Sequence, residues 1–589
     1  MFMAKSYQPP RLGGLGTPTL ERNMIKLKAS TLSAAIFVAM TGTTAATQPP
    51  HPVVPVHRVL LISVDGLHQI DLATWIASNP NSSLARLSAD AITYTAARTT
   101  TPSDSFPGLL SMVTGGTPKS TGVYYDDSYD RTLYAPGSNC TGNPGIEAVF
   151  DESIEFDDSQ LFSGGINPAY LPMEKTLSGG CVPVYPHHFL HANTVFEVIK
   201  QAGGRTAWSD KHAAYDLVNG PSGGGVDDLY TPEVNSLIAN GGTVNGINLS
   251  ATLAQCDGTN SLPVKKVSDY TTCIPAIKAY DDVKVQAILN QIDGLQSDGS
   301  AWVGIPTIFG MNFQEVSVGQ KLPVGGYADA SGTPGANLHD VLAHTDLSIG
   351  RMVTELATRH LLNSTLIIIS AKHGQSPIDR STLAMESGGS GDTSVQDPSG
   401  FIAIADPTVD TPSSFTNPNS GSIPSTSGHL QTDDVGLVWL QNQSPSNIAN
   451  VLAQLQGNTA AIHADTLPPG TVFSNSITSG SALANLFGDP ASGPLAFARA
   501  PNIFIQPNVG VIYSGSSKKI SEHGGGTLDD TGVALIVSLP TIRAASISTP
   551  VSTTQIAPTI LRALALDTQS LDAVRIEGTE VLPDLFWPN

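Results

Sequence analysis

A serine at the start of a predicted helix is the residue of this 589-residue chain best suited to chemistry. Ser105 lies in the stretch 101–108, TPSDSFPG, directly before Phe106 and Pro107. Proline fits the first turn of a helix because its missing N–H needs no partner there, and the glycine pair 115–116 fits the end of that helix. Backbone N–H groups at a helix N-terminus suit an oxyanion or a phosphate. The alternative is that Ser105 only caps the helix.

Three further polar positions follow apolar runs or lie in glycine-rich loops. Asp65 directly follows the apolar segment 59–64, and His373 follows the apolar segment 365–370, each with a glycine behind it. His523 lies in a loop with three consecutive glycines. Functional groups of open α/β sheets gather at the carboxyl ends of the strands. We therefore expect these three side chains and the serine to converge at one edge of a sheet.

The order of these residues resembles that of the alkaline phosphatase superfamily: an aspartate after the first strand, then a hydroxyl before Phe-Pro, then two His-Gly pairs. The closest resemblance is to its type I phosphodiesterase/nucleotide pyrophosphatase branch, and it runs from about Val59 to about Leu585. It implies an α/β fold with three α/β/α layers, a mostly parallel central sheet and loop-rich insertions. It also implies two adjacent metal ions and a covalent phospho-enzyme that water hydrolyses.

Residue by residue, the resemblance makes Ser105 the nucleophile and a ligand of one metal ion. It makes Asp65, His373 and His523 further metal ligands, and each is of a type that zinc accepts. The expected cofactor is therefore a divalent metal, zinc before others, with one or two ions bound.

Three positions depart from the family's pattern. Lys372 stands where the family has the aspartate of Asp-His-Gly, and Gly108 stands where an asparagine helps to hold the phosphate. The stretch 312–320 lacks the family's Asp and His, so Glu315 is its only candidate metal ligand. Lys372 and Gly108 are the expected substrate-binding positions, with the lysine supplying charge where an ion would otherwise lie. A single metal ion beside this lysine is physically reasonable.

The function implied is a metal-dependent hydrolase of phosphate esters, a phosphodiesterase or nucleotide pyrophosphatase acting through a Ser105 phospho-enzyme. The expected partner is a small phosphate ester or a nucleotide. One alternative is a catalytically impaired binding protein on the same fold. Another is a single-metal enzyme similar to sulfatases or phosphonate hydrolases, although the Cys-x-Pro-x-Arg signature of sulfatases is absent around Ser105.

Charge and the N-terminal sequence bear on partners and compartment. The net charge is −21, which does not favour nucleic-acid polymers or an anionic membrane. Residues 24–28 are basic, 30–40 are mildly apolar, and cleavage is expected near Ala46, as in a signal peptide. No later segment is apolar for 18 residues, so no membrane span is expected in the mature chain. We therefore expect a secreted or periplasmic location. Met24, at the start of the basic segment, is an alternative start of translation.

Four cysteines fit export to an oxidising compartment. They lack CxxC spacing, and pairing of neighbours is the simplest of three connectivities. That pairing predicts the disulfides Cys140–Cys181 and Cys256–Cys273. Four buried free thiols are the alternative.

The chain divides into an N-terminal extension with signal peptide (1–46), a proline-rich linker (47–56) and one catalytic domain (57–589). Insertions are expected at about 131–190, 217–280 and 380–430, where turn-forming residues are dense. The predicted strands are 58–64, 92–97, 205–208, 303–309, 365–370, 435–440 and 534–537.

One predicted strand end outside the family's motif also holds polar residues. The strand 205–208 opens onto Ser-Asp-Lys-His at 209–212, so His212 and Asp216 lie near a strand end. A histidine in a surface loop is the favoured interpretation of His212, because loops lie mostly at the surface.

Overall fold

Strands and helices alternate along most of the chain in the computed structural model, which describes residues 55–149, 165–234, 243–249, 256, 270–386, 394–409, 428–488, 494–513 and 519–585. The strands are β1 (Arg58–Val64), β2 (Ala91–Tyr94), β3 (Ala97–Arg98), β4 (Asp127–Asp130), β5 (Ile146–Val149), β6 (Met173–Lys175), β7 (Cys181–Pro183), β8 (Ala207–Ser209), β9 (Asp228–Tyr230), β10 (Thr243–Val244), β11 (Ile247–Asn248), β12 (Ile308–Phe313), β13 (Thr365–Ser370), β14 (Ala384–Met385), β15 (Gly428–Thr432), β16 (Gly436–Leu440), β17 (Ile477–Ser479), β18 (Ile503–Ile505), β19 (Val511–Ile512), β20 (Ile536–Ser538), β21 (Ala545–Ile547) and β22 (Val551–Ser552).

Helices connect these strands and pack against them. The α-helices are α1 (Gln69–Ser78), α2 (Ser83–Ala89), α3 (Ser105–Thr114), α4 (Pro118–Thr121), α5 (Pro186–Phe189), α6 (Val195–Gln201), α7 (Ile274–Ile292), α8 (Glu315–Lys321), α9 (Ala336–Thr358), α10 (Ser399–Ala405), α11 (Pro445–Gly457), α12 (Ser481–Phe487), α13 (Pro494–Arg499), α14 (Leu528–Thr531), α15 (Ile556–Ala563) and α16 (Asp572–Glu577).

The central sheet of the described residues has eight strands in the order β21-β2-β20-β13-β1-β12-β8-β9. Five of its seven pairings are parallel, and only those of β20 with β2 and β13 are antiparallel. Every residue of β12 and β13 is buried, as expected for parallel strands that are covered on both faces. The predicted α/β fold with a mostly parallel central sheet is confirmed.

The topology brings four strand ends to one edge. β13, β1, β12 and β8 are consecutive in the sheet and parallel, so their carboxyl ends point the same way. The loops after these strands begin at Ala371, Asp65, Gln314 and Asp210. Most of the candidate site residues lie on these loops.

A second sheet was not predicted from the sequence. β15, β16, β18 and β17 pair antiparallel in that order, and α10 and α11 pack beside them around a separate buried cluster. The region 380–430, predicted as a long loop or small cap, therefore contains β14, α10 and the start of β15. Its residues 387–393 and 410–427 lie outside the described residues.

The predicted strand 303–309 begins five residues later, at Ile308. Gly304 has a left-handed φ of +91°, and Pro306 lacks an N–H for pairing, so the preceding segment cannot join the sheet. The predicted signal peptide and most of the linker lie outside the described residues. The insertion boundaries stay a prediction.

Both predicted disulfides are confirmed. Cys140 is bonded to Cys181, and Cys256 is bonded to Cys273. Within the described ranges, no helix is both long enough and apolar enough to cross a membrane.

Candidate functional site

Ser105 is the first residue of α3, and Asp104 caps that helix. The Phe106 N–H donates to Asp104 Oδ2 at 3.1 Å, and Gly115 ends the helix with φ +81°. The cap is therefore the aspartate, which leaves the Ser105 hydroxyl for other partners. It also means that the Phe106 N–H, expected to be open to a phosphate, already has a carboxylate acceptor.

The Ser105 hydroxyl lies between a lysine and a histidine. Its Oγ is 3.1 Å from Lys211 Nζ and 3.3 Å from His373 Nε2. The other ring nitrogen of His373, Nδ1, is 2.7 Å from the carbonyl oxygen of Gly374 and therefore holds the ring proton. Burial lowers the pKa of His373 to about 3. The imidazole is thus neutral at pH 7, with the Nε2 lone pair facing the hydroxyl.

Asp65 follows β1 and is fully buried beneath the same lysine. Its Oδ2 accepts hydrogen bonds from Lys211 Nζ and from Asn312 Nδ2, both at 3.1 Å, and lies 3.9 Å from His373 Nε2. Burial alone would raise the pKa of this carboxyl, but the charges of Lys372 and Lys211 outweigh it and lower the pKa. Asp65 is therefore held as a carboxylate.

Lys372 forms a second buried ion pair. Its Nζ donates to Asp210 Oδ1 at 2.8 Å, and neither side chain is exposed to solvent. The ammonium also lies 3.9 Å from the ring centre of Tyr215, an arrangement that attracts a cation. Burial lowers the pKa of Lys372 to about 8, so most of this lysine keeps its charge at pH 7.

His523 completes the group from the opposite side. Its ring centre is 3.8 Å from that of His373, and its Nδ1 is 3.6 Å from Asp104 Oδ1, too far for a hydrogen bond. Burial raises the pKa of Asp104 to about 6 and lowers that of His523 well below its usual range. Among the described residues, several buried polar atoms of this group find no hydrogen-bond partner, including Asp65 Oδ1, Asp104 Oδ1, Asn312 Oδ1 and His523 Nδ1.

Glu315 does not join this group. It begins α8, and its carboxylate accepts from His344 Nδ1 at 2.8 Å and from the Thr345 hydroxyl at 2.7 Å, both on α9. Its own backbone N–H donates to Asp281. Asn312, three residues earlier, is the residue of this segment that reaches Asp65. The expected role of Glu315 as a metal ligand therefore has no geometric support.

Gly108 lies in the first turn of α3 against the loop after β13. A Cβ at this position would lie 2.1 Å from the Lys372 carbonyl oxygen. The glycine thus allows close packing of helix and loop, which is a structural reason for this residue. Its expected contact with substrate stays a prediction.

Lys211 and Asp210 are the site residues that the sequence reasoning missed. They follow β8, whose position beside β12 brings them to the site edge. The available signal was this pair of polar residues directly after the predicted strand 205–208 and Ser209. His212 instead pairs with Glu233 at 2.9 Å and is half-buried rather than a surface residue, and Asp216 pairs with His187.

The superfamily generally uses divalent metals such as zinc, but the residues present here do not fit a metal centre. Lys211 Nζ already bridges Asp65 and Ser105, and Lys372 replaces a carboxylate. Across the described part of the chain, no group of three or more His, Cys, Asp or Glu side chains is arranged to hold a metal ion. The ligand set expected from the resemblance is therefore incomplete.

Comparison with solved structures shows the fold. Wild-type alkaline phosphatase PafA aligns with 88% of this chain and 97% of its own, at 14% identity and a TM-score of 0.50. A mutant of PafA aligns with 91% and 100%, at 12% identity and a TM-score of 0.52. Murine ectonucleotide pyrophosphatase/phosphodiesterase 5 aligns with 87% and 96%, at 11% identity and a TM-score of 0.46.

Comparison of the sequence with protein-family profiles shows which family this chain belongs to. No curated protein sequence matches this chain. The family profile described as type I phosphodiesterase / nucleotide pyrophosphatase matches residues 59–524, which is well over half of the sequence and contains every residue of the site. The chain belongs to the type I phosphodiesterase / nucleotide pyrophosphatase family.

Proposed function

We propose that this protein hydrolyses phosphate esters, as a phosphodiesterase or nucleotide pyrophosphatase, through a phospho-enzyme on Ser105. The observation that supports this most strongly is the Ser105 hydroxyl, held between the Lys211 ammonium and the unprotonated nitrogen of His373. A base removes the hydroxyl proton and a cation stabilises the oxygen that results, which together activate a nucleophile.

In the first step, Ser105 Oγ passes its proton to His373 Nε2 and forms a bond to phosphorus. The bond from phosphorus to the leaving oxygen breaks, and the leaving group departs with the electron pair. In the second step, water attacks phosphorus and the Oγ–phosphorus bond breaks. His373 returns its proton to Ser105 Oγ. Water passes its own proton to solvent, which replaces the proton that the leaving oxygen took from solvent after the first step.

The unpartnered acceptors beside the serine suit the second step. Asp65 Oδ1 and Asp104 Oδ1 are buried carboxylate oxygens that accept no hydrogen bond from the described part of the chain. A water molecule needs two or more polar partners to be held in place. We propose that these oxygens orient the hydrolytic water.

Charge balance favours a diester over a monoester. Three carboxylates, those of Asp65, Asp104 and Asp210, face the two ammonium groups of Lys211 and Lys372. A monoanionic diester adds one negative charge to this group, whereas a dianionic monoester adds two. We therefore propose diesters or nucleotide pyrophosphates as substrates.

We also propose that the protein works in a secreted or periplasmic compartment. The two disulfides support this, because such bonds persist in oxidising compartments. Its proposed partners are small phosphate-containing molecules.

The test of the proposed function is hydrolysis of a bis-nitrophenyl phosphate by wild type and by Ser105→Ala. Loss of the nucleophile is expected to lower kcat by at least about 10³-fold. Ser111→Ala is the matched control, since Ser111 is a buried serine of the same helix whose hydroxyl bonds to the Gly108 backbone carbonyl and the Thr553 hydroxyl, whereas that of Ser105 contacts Lys211 and His373. Equal rates for wild type and Ser105→Ala would refute the proposal.

A binding protein on the same fold is the second candidate. The burial of Ser105, which is only 2% exposed, favours it because a substrate must reach this oxygen. Lys211 and His523, at 7% and 8% exposure, offer the path from solvent. Binding of a nucleotide without turnover under any condition would support this second function.

A further inference from the structure

A lysine occupies the position at which a metal ion would act. Lys211 Nζ lies 3.1 Å from the Asp65 carboxylate and 3.1 Å from the Ser105 hydroxyl, so one cation bridges a carboxylate and a nucleophile. Catalytic metal ions do the same work: they lower the pKa of a bound hydroxyl and neutralise phosphoryl oxygens. Resting on the proposed function, we propose that Lys211 performs the part of a catalytic metal ion, so that turnover needs no divalent ion.

The geometry leaves no room for both cations. Zinc must lie about 2.0–2.2 Å from each oxygen ligand. An ion bridging Asp65 and Ser105 at such distances would overlap or directly repel the ammonium, which is 3.1 Å from both oxygens. Displacing Lys211 would leave its charge buried without a carboxylate partner, at a large energetic cost.

The ammonium has the donors that the role needs. A lysine has three N–H donors, and the hydrogen bonds of Lys211 to described residues use two, on Asp65 and Ser105. The third can bind a phosphoryl oxygen. The Asp65 carboxylate, 3.1 Å away, stabilises the positive charge of this ammonium.

Lys372 supports the same arrangement from the loop after β13, on the other side of β1 and β12 in the sheet. Its ammonium is fixed by Asp210 and by the ring of Tyr215. It stands in sequence directly before His373, so the loop that presents the proposed base also presents a second fixed cation. Two lysines therefore supply the positive charge of the site.

The first test is activity without metal. Wild type freed of metal by a chelator is expected to hydrolyse bis-nitrophenyl phosphate within about twofold of its rate in added zinc, manganese, magnesium or calcium. Lys211→Gln, which keeps hydrogen bonding but loses the charge, is expected to lower kcat by about 10²–10³-fold. Lys278→Met, which removes a lysine paired with Asp340 at the surface, should leave the rate unchanged. Activity that disappears with the chelator and returns with zinc would overturn the inference.

The second test reads metal binding itself and does not depend on turnover. Wild type is expected to bind no zinc in a calorimetric titration, and Lys211→Ala is expected to bind it measurably, because the competing ammonium is gone. Equal stoichiometric zinc binding by wild type and Lys211→Ala would overturn the inference even in an inactive protein. If zinc binds to Lys211→Ala but not to wild type, and wild type hydrolyses no ester, only the proposed function is refuted.

Discussion

Replacing Lys372 by methionine is expected to lower the free energy of unfolding by about 3–5 kcal/mol, because the Asp210 carboxylate would lose its bonded ammonium while remaining buried. The two groups are 2.8 Å apart and neither is exposed. At an effective dielectric constant of about 20, their attraction is worth about 6 kcal/mol. Burial nevertheless lowers the pKa of Lys372 from 10.5 to about 8. This shift already includes the attraction to Asp210 and corresponds to a net cost of about 3 kcal/mol for charging the lysine in the folded state.

A double-mutant cycle isolates the pair. Asp210→Asn alone should also destabilise the fold by a few kcal/mol, since it leaves the ammonium unpaired. The combination Asp210→Asn/Lys372→Met removes both charges and should cost less than the sum of the two by at least about 2 kcal/mol. Urea unfolding at pH 7, followed by circular dichroism, measures all four proteins.

The surface pair Lys278–Asp340 provides the control for this cycle. Its atoms are 3.0 Å apart, but Asp340 is 54% exposed. Lys278→Met should therefore change the free energy of unfolding by no more than about 0.5 kcal/mol. Additive effects of the two buried substitutions, or a cost of Lys372→Met as small as that of the control, would refute the buried ion pair.

Three further perturbations test other parts of the structure. Replacing glycine by alanine usually stabilises a helix. Gly108→Ala should instead lower the free energy of unfolding in urea by more than about 1 kcal/mol, because the new Cβ would lie 2.1 Å from the Lys372 carbonyl oxygen. A more stable variant would contradict this packing. Replacing Cys140 and Cys181 together by alanine should lower the free energy of unfolding by about 2–4 kcal/mol, because their disulfide closes a loop with a sequence separation of 41. An unchanged Tm would contradict a stabilising role of this disulfide. Burial opposes protonation of His344, but Asp282 and Glu315 outweigh it and raise its pKa from 6.5 to about 10. The stabilisation that protonated His344 contributes is therefore present below pH 6.5 and is lost as the pH rises through about 10. The Tm of wild type should fall over this range, and His344→Gln should abolish that fall. An identical fall in the variant would exclude His344 as its source.

The sequence was sufficient to predict the centre of the sheet and half of the site. β1 and β13 are uninterrupted apolar segments that end directly in Asp65 and in the Lys372-His373 pair, so their place at the carboxyl edge could be inferred. Ser105 was recognisable from the Phe-Pro that follows it. The structure places these residues together.

The other half of the candidate site, and the second sheet, depend on strand pairings and side-chain directions that no local sequence pattern reveals. β8 has only three residues, and its position beside β12 is what brings Lys211 to Asp65. The sequence also could not show which way Glu315 points, because the first residue of a short helix can face either the sheet edge or a neighbouring helix. The antiparallel sheet of β15 to β18 joins segments over 60 residues apart, such as those that pair Gly436 with Ile505.

Mass analysis of the Ser105 peptide after rapid quenching with substrate tests the central claim most directly. Chelator-treated wild type mixed with an excess of bis-nitrophenyl phosphate should yield a peptide covering 101–108 with one nitrophenyl-phosphoryl group on Ser105, formed as fast as the first nitrophenolate appears. Nitrophenolate release without any adduct on this peptide, or an adduct that forms only when zinc is added, would contradict a lysine-activated serine nucleophile.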